Sequence, residues 1–249
     1  MKTLLTAFYS FCALLVFAQA NRTEGKIYQS DKKIIPAFFY LKSLEGTPQQ
    51  FSYSLTAEEE RNTLTADGAE KIELQDGTIY ESYFISVPVL ANDYLSRSKT
   101  DYEADVNNFQ GQAFVERIMD GSISFYQFVD RYGFSHFFYR LAADTSVTLL
   151  RNKTYVLEGG RVEYDMAYKN QLSFLASKYC PVAPPEIDRL AYDLKPMINV
   201  ITALNTCAGS AGNATAYLKK KKATTNIGIM GGVLSSALGL NSYPRSVSP

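Results

Sequence analysis

Between Lys26 and about Tyr155 apolar and polar residues alternate at period two, in short runs separated by turn residues. After Gly159-Gly160 the apolar residues recur every three or four positions instead. The first pattern describes strands with one face buried, and the second describes helices packed by a stripe. A chain carrying the two patterns one after the other is expected to be an α+β protein: antiparallel β-meander sheet(s) followed by a C-terminal helical hairpin.

Pro36 to Ser43, Gln50 to Leu55, Ala69 to Leu74 and Ile79 to Val87 read as strands, with Asp76-Gly77 predicting a tight type I′ hairpin turn. Glu58-Glu59-Glu60-Arg61 reads as a solvated turn. Asp93 to Gln112 is polar and aperiodic, and is expected to form a loop or ragged helical segment separating two sheet regions. The most regular block follows: Ala113 to Met119, Ser122 to Val129, Phe134 to Leu141, Ser146 to Leu150 and Thr154 to Leu157, joined by Asp120-Gly121 and Asp130-Arg131-Tyr132-Gly133. Its rings, Phe125, Tyr126, Phe128, Phe134, Phe137, Phe138 and Tyr139, crowd both faces. They read first as core, and second as an aromatic platform for a glycan or peptide.

Tyr168, Leu172, Leu175, Ala176 and Tyr179 fall on one helical face. Pro184-Pro185 is expected to open a second helix through Ile187, Leu190, Leu194, Ile198, Ile201 and Leu204, kinked or split at Pro196. A short Pro-rich connection joins the two, and a cysteine ends each, Cys180 and Cys207. An even pair in an exported chain reads as one disulfide, the alternative being two buried thiols. Closing such a loop stabilises by roughly 3–4 kcal/mol on the chain-entropy model.

Export is expected from residues 1–20: Met1-Lys2, an apolar run from Leu4 to Phe17, and Ala18-Gln19-Ala20 ahead of a cleavage point between Ala20 and Asn21. The run is too short for a comfortable membrane span, and Cys12 leaves with the leader. Residues 21–208 then form the exported domain, and 209–222 a linker ending in Lys219-Lys220-Lys221-Lys222. Residues 223–249 hold a Gly-rich alternating run, Thr224 to Leu240, that suits the first strand of an outer-membrane barrel or a short soluble strand. One strand cannot close a barrel, so the barrel reading implies a truncated copy of a longer protein.

Catalytic chemistry is sparse in the sequence. His136 is the single histidine, expected in a strand beside Ser135 with Asp130 nearby. Its plain reading is a strand residue with a local hydrogen bond, and its sharper reading is part of a secreted hydrolase, since Ser–His–Asp chemistry is set by geometry. G-x-S-x-G, H-E-x-x-H and G-x-x-x-x-G-K-[ST] do not occur. Carboxylate pairs such as Glu158/Glu163 and Glu70/Glu73 are ordinary surface features. No catalytic, cofactor-binding or metal-ligating residue is therefore assigned. With 25 basic and 25 acidic residues the formal charge is zero, which argues against a nucleic-acid partner.

The segments I-E-L-Q-D-G-T-I-Y-E-S (Ile72 to Ser82), A-F-V-E-R-I-M-D-G-S-I-S-F-Y (Ala113 to Tyr126) and Y-K-N-Q-L-S-F-L-A-S-K-Y-C-P (Tyr168 to Pro181), with the helix on to Asn205 and Cys207, carry a family resemblance. The chain resembles a secreted protein family of Bacteroidota in which an N-terminal α+β domain precedes, through a short basic link, an outer-membrane β-barrel. Members are sometimes labelled tRNA-modification GTPases, a label at odds with the leader and the missing phosphate loop. The resemblance implies a non-enzymatic envelope protein that binds or scaffolds, with outer-membrane or envelope proteins as partners and no catalytic residues to transfer. It also implies an outer-membrane-associated or periplasmic location. The runner-up is a soluble periplasmic or secreted glycan- or peptide-binding module.

Overall fold

A computed structural model describes residues 22–41, 46–56, 59–89, 107–156, 162–182, 185–209 and 215–216. The leader and the Thr224 to Leu240 run lie outside these. Ten strands of an eleven-stranded antiparallel sheet run in the order β10-β9-β8-β7-β6-β5-β1-β2-β3-β4. They are β1 (Arg22–Tyr28), β2 (Ile34–Tyr40), β3 (Gln50–Ser54), β4 (Asn62–Thr65), β5 (Lys71–Leu74), β6 (Ile79–Val89), β7 (Asn107–Asp120), β8 (Ile123–Val129), β9 (Ser135–Leu141) and β10 (Thr148–Leu150). A two-stranded sheet pairs β11 (Lys153–Val156) with β12 (Val162–Asp165), and helices α1 (Ala167–Tyr179) and α2 (Leu194–Cys207) follow. The α+β class and the order of strands before helices are as the sequence indicates.

The expected break between two sheet regions does not exist. β6 and β7 pair directly from Tyr80↔Glu116 to Val89↔Asn107, so 107–112 is strand and the rest of that polar stretch lies outside the described residues. Phe109 is the one large apolar side chain of that extension, and it joins the buried cluster of Ile85, Val87, Ala113 and Val115. A single inward ring is too sparse to show as alternation. β1 and β4 went unread for the same reason, each committing one large residue, Ile27 and Leu64, to the core.

The turns also differ from expectation. Around Asp76-Gly77, Gly77 N–H donates to Leu74 O and Leu74 N–H to Thr78 O, while Gly77 alone has positive φ, 84°. That is a type I turn with a left-handed closing residue, not type I′, because Asp76 keeps negative φ and its carboxylate accepts from Thr78 N–H. The β8–β9 turn repeats the design with Gly133 at φ 84°. The β1–β2 turn repeats it again, with Lys32 N–H on Gln29 O and Asp31 accepting from Lys33 N–H, but here Lys32 occupies the left-handed position at φ 65°.

Curvature organises the core. Phe51 of β3 lies 5.2 Å from Phe114 of β7 and 5.1 Å from Tyr80 of β6, so the β5-β1-β2-β3 portion rolls back over β6 and β7. At the other end, Ile123 and Phe125 of β8 face the helices, while Tyr126 and Phe128 face the opposite cluster. A bulge between Arg117 and Met119 turns both Ile118 and Met119 toward the helices.

Helix α1 buries Tyr168, Leu172, Leu175 and Ala176, as its spacing predicts. The second helix begins later than expected. Lys169 Nζ donates to Asp188 O and the Tyr168 hydroxyl to Leu190 O, so two carbonyls of 187–193 are held by α1 side chains, while Ile187 O and Ala191 O accept Leu190 and Asp193 N–H in short turns. Asp193 then caps α2 by accepting Leu194 N–H at 2.7 Å. Pro196 therefore sits in the first turn, where its missing N–H has no helical acceptor to lose, and the expected kink is absent. Cys180 and Cys207 are disulfide-bonded with Cα atoms 5.2 Å apart, tying the C-terminal ends of the two helices. Past α2, β13 (Thr215–Ala216) pairs with Met119 and Asp120 of β7, so part of the expected 209–222 linker is strand.

One buried amide docks α2 on the sheet. Asn205 accepts Ile123 N–H and donates to Ile123 O, both at 2.9 Å, and a Cβ at Gly121 would lie 2.6 Å from the Asn205 oxygen. Asn205→Leu strips both Ile123 backbone groups of this partner inside the core. Its unfolding free energy in denaturant titration should fall by about 2–4 kcal/mol, and a change under about 0.5 kcal/mol contradicts the docking. Lys32→Gly should instead raise stability by about 1 kcal/mol by relieving the left-handed strain; an equal or lower midpoint contradicts that account.

Candidate functional site

His136 and Ser135 are adjacent in β9, so their side chains leave opposite faces of the sheet. Ser135 Oγ accepts from Gln127 Nε2 at 2.9 Å, whereas His136 Nε2 lies 3.2 Å from Asp130 Oδ2. The hydrolase triad suggested by proximity in sequence is therefore not assembled. Asp130 is 2% exposed and holds the β8–β9 turn: its Oδ1 accepts Tyr132 N–H at 2.9 Å and Phe134 N–H at 3.0 Å. The His136 ring also lies against Phe128, with centroids 6.1 Å apart. Burial pushes the imidazole below its ordinary value of 6.5, and the hydrogen bond and charge of Asp130 offset that only in part. The pair is a turn brace with a neutral imidazole.

A denser polar cluster, missed from the sequence, spans β6 to β9. Glu81 Oε1 accepts Arg117 at 2.8 Å, and its Oε2 accepts the hydroxyls of Tyr83 at 2.7 Å and Tyr126 at 3.0 Å. Arg140 Nε donates to the Tyr126 oxygen at 3.1 Å. Burial and the Glu81 charge push the phenols of Tyr83 and Tyr126 upward, so both stay protonated donors. Each of these donors points at an acceptor inside the cluster, which makes it a cross-strand pin for four strands. The signal was present in the alternation. Glu81, Tyr83, Arg117, Tyr126 and Arg140 all fall on the parity that carries Ile85, Val115 and Phe138, where polar residues are unexpected.

The meander aromatics are core, not platform: Phe125, Tyr126, Phe128, Phe137 and Phe138 are buried, and of the rings singled out only Phe134 is exposed. Of the carboxylate pairs, Glu73 accepts the Tyr28 hydroxyl at 2.8 Å, which holds its carboxyl below the usual range, while Glu158 and the Glu163 side chain lie outside the description. Among the described residues no three His, Cys, Asp or Glu side chains gather as a metal site would require.

A surface depression lies on the outward face of β1, β2 and β5. It has a volume of about 480 Å³ and is walled by Pro36, Phe38 and Leu55 and framed by Glu24, Lys26 and Glu73. Leu55 is 47% exposed, and Ile34, on the same side of β2 as Pro36 and Phe38, is 54% exposed. Arg22 lies 4.4 Å over the Phe38 ring, Lys71 3.7 Å over Tyr28 and Arg61 4.0 Å over Tyr40, so cations line this face. Alternation located these strands, but concavity depends on how neighbouring strands curve, which no single strand records.

A scan against protein-family models found no match, and searches of curated proteins and of solved structures found none either.

The turn brace has a pH signature. The folded imidazole titrates below the unfolded one, so the unfolded state binds more protons in that window. The stability it confers is fully present above pH 6.5 and is lost as pH falls through and below that value. As the only histidine, His136 is the only side chain of its type to titrate there. His136→Gln should show a shallower loss of denaturation midpoint than the wild type between about pH 7.5 and 5.5; parallel curves contradict the assignment.

Proposed function

We propose that this chain is a non-enzymatic cell-envelope protein whose exported α+β domain binds or scaffolds at the outer membrane. The observation that carries the reading is the outward face of β1, β2 and β5, where an apolar depression and exposed Ile34 and Leu55 sit within a frame of alternating charges. An apolar centre with a polar, charged rim is the anatomy of a contact surface. The rest of the molecule supports the same direction. Asp130 and His136 are committed to a turn, Glu81 to a cross-strand pin, and Ser135 to Gln127. The leader, the lysine run and the alternating Thr224 to Leu240 segment supply the address. The family resembled, in which such a domain precedes a barrel, agrees with it.

Expressed with its leader in a two-membrane bacterium, the protein should co-fractionate with the envelope. Ile34→Asp with Leu55→Asp replaces two exposed side chains, so its thermal midpoint should stay within a few degrees of wild type, about 0.5 kcal/mol per site, while its envelope association weakens. Wild-type protein recovered wholly in the soluble periplasm refutes the location. A double variant retained as well as wild type moves the contact surface elsewhere.

A further inference from the structure

The two ends of the sheet are treated differently. At the β10 end the outward backbone is occupied by side chains: Gln171 Oε1 accepts Arg151 N–H and its Nε2 donates to Leu149 O, both at 2.9 Å. Tyr192 instead bridges β10 to β9, its hydroxyl accepting Phe137 N–H at 3.1 Å and donating to Leu150 O at 2.7 Å. A glutamine amide presents one donor and one acceptor as a neighbouring strand does, so this edge is closed to another strand. At the other end, β4 pairs with β3 along Asn62–Thr65, and among the described residues no strand pairs with its far side. Asn62, Thr63 and Thr65 are exposed, while Leu64 anchors the strand in the core. β4 carries no lysine or proline, the usual guards of an open edge.

Charge selects the occupant. Exposed Glu59 and Glu60 precede β4, and exposed Asp67 and Glu70 follow it, with Arg61 drawn over the Tyr40 ring. A second copy pairing antiparallel about the centre of β4 would set Glu60 of each copy beside Asp67 of the other, a like-charge contact that opposes self-association. We infer that the β4 edge is a docking strand for an extended, lysine- or arginine-flanked segment of a partner protein, added to the sheet by main-chain pairing. The inference rests on the binding reading above and names the partner's chemistry.

The probe is a labelled peptide of alternating valine and threonine flanked by paired lysines, titrated into the full mature chain and followed by anisotropy and hydrogen exchange. Saturable binding is expected, with slowed exchange at Asn62–Thr65. Glu60→Lys with Asp67→Lys should weaken it by about tenfold or more, and a glutamate-flanked peptide should bind no better than that variant does. Methylating alternate peptide nitrogens removes the pairing donors and should abolish binding without touching the protein. The inference is overturned if folded wild type does not bind, if the methylated peptide binds equally, or if protection falls on another strand. Loss of peptide binding with envelope association intact defeats this inference alone. Periplasmic recovery with peptide binding intact defeats the envelope reading alone.

Discussion

The ladder between β6 and β7 is the constraint on which the rest depends. It runs without interruption from Tyr80↔Glu116 to Val89↔Asn107, and two of the three buried clusters draw on it directly. Tyr80 and Phe114 supply one wall of the cluster enclosed by the rolled N-terminal strands. Ile85, Val87, Ala113 and Val115 supply the opposite face. Where β6 has ended, the bulge in β7 hands Ile118 and Met119 to the helices. β13 takes a place along the same end of β7, through Met119 and Asp120.

Two sheet faces that are both buried need polar residues that are fully matched, and this explains the placement of the charges. Glu81 lies in the plane of the ladder's apolar parity with Arg117, Tyr83 and Tyr126 around it. Removing one partner would leave a buried charge or hydroxyl unmatched, whereas the full set fixes register, because a one-residue slip would turn all of them to the other face. Asn205 performs the same service between α2 and β8. Specific pairing of strands and helix thus comes from a few satisfied polar groups, and the surrounding aromatic mass supplies cohesion.

What could be read from the sequence follows from how local each determinant is. Strands β2, β3, β5, β6, β8 and β9 were legible because alternation survives wherever several inward positions are apolar, as in Ile35, Ala37 and Phe39 of β2. β1, β4 and the first half of β7 were not, since each gives the core one large side chain. The late start of α2 was invisible for a different reason. Ile187 and Leu190 are buried at helical spacing, yet their segment is held open by Tyr168 and Lys169 from another helix. Periodicity reports which residues are buried, not which backbone carries them. The Asp130–His136 pair was legible as residues, while its function as a turn brace required the geometry.

The disulfide connects fold and compartment. α1 and α2 pack against each other and against the sheet in one cluster that takes in Leu172, Leu175, Ile201 and Leu204. Cys180–Cys207, 27 residues apart in the chain, adds a covalent restraint to that packing. A bond that closes a loop of this size is worth roughly 3–4 kcal/mol in the chain-entropy account, a large fraction of the 5–15 kcal/mol by which domains are typically stable. In a reducing cytosol that restraint would be lost. The connector over 185–193 is held by Tyr168 and Lys169 of α1, by its own Tyr192, and by the buried Ile187 and Leu190. A chain built this way gains most from an oxidising environment, the kind of compartment that the proposed export would supply.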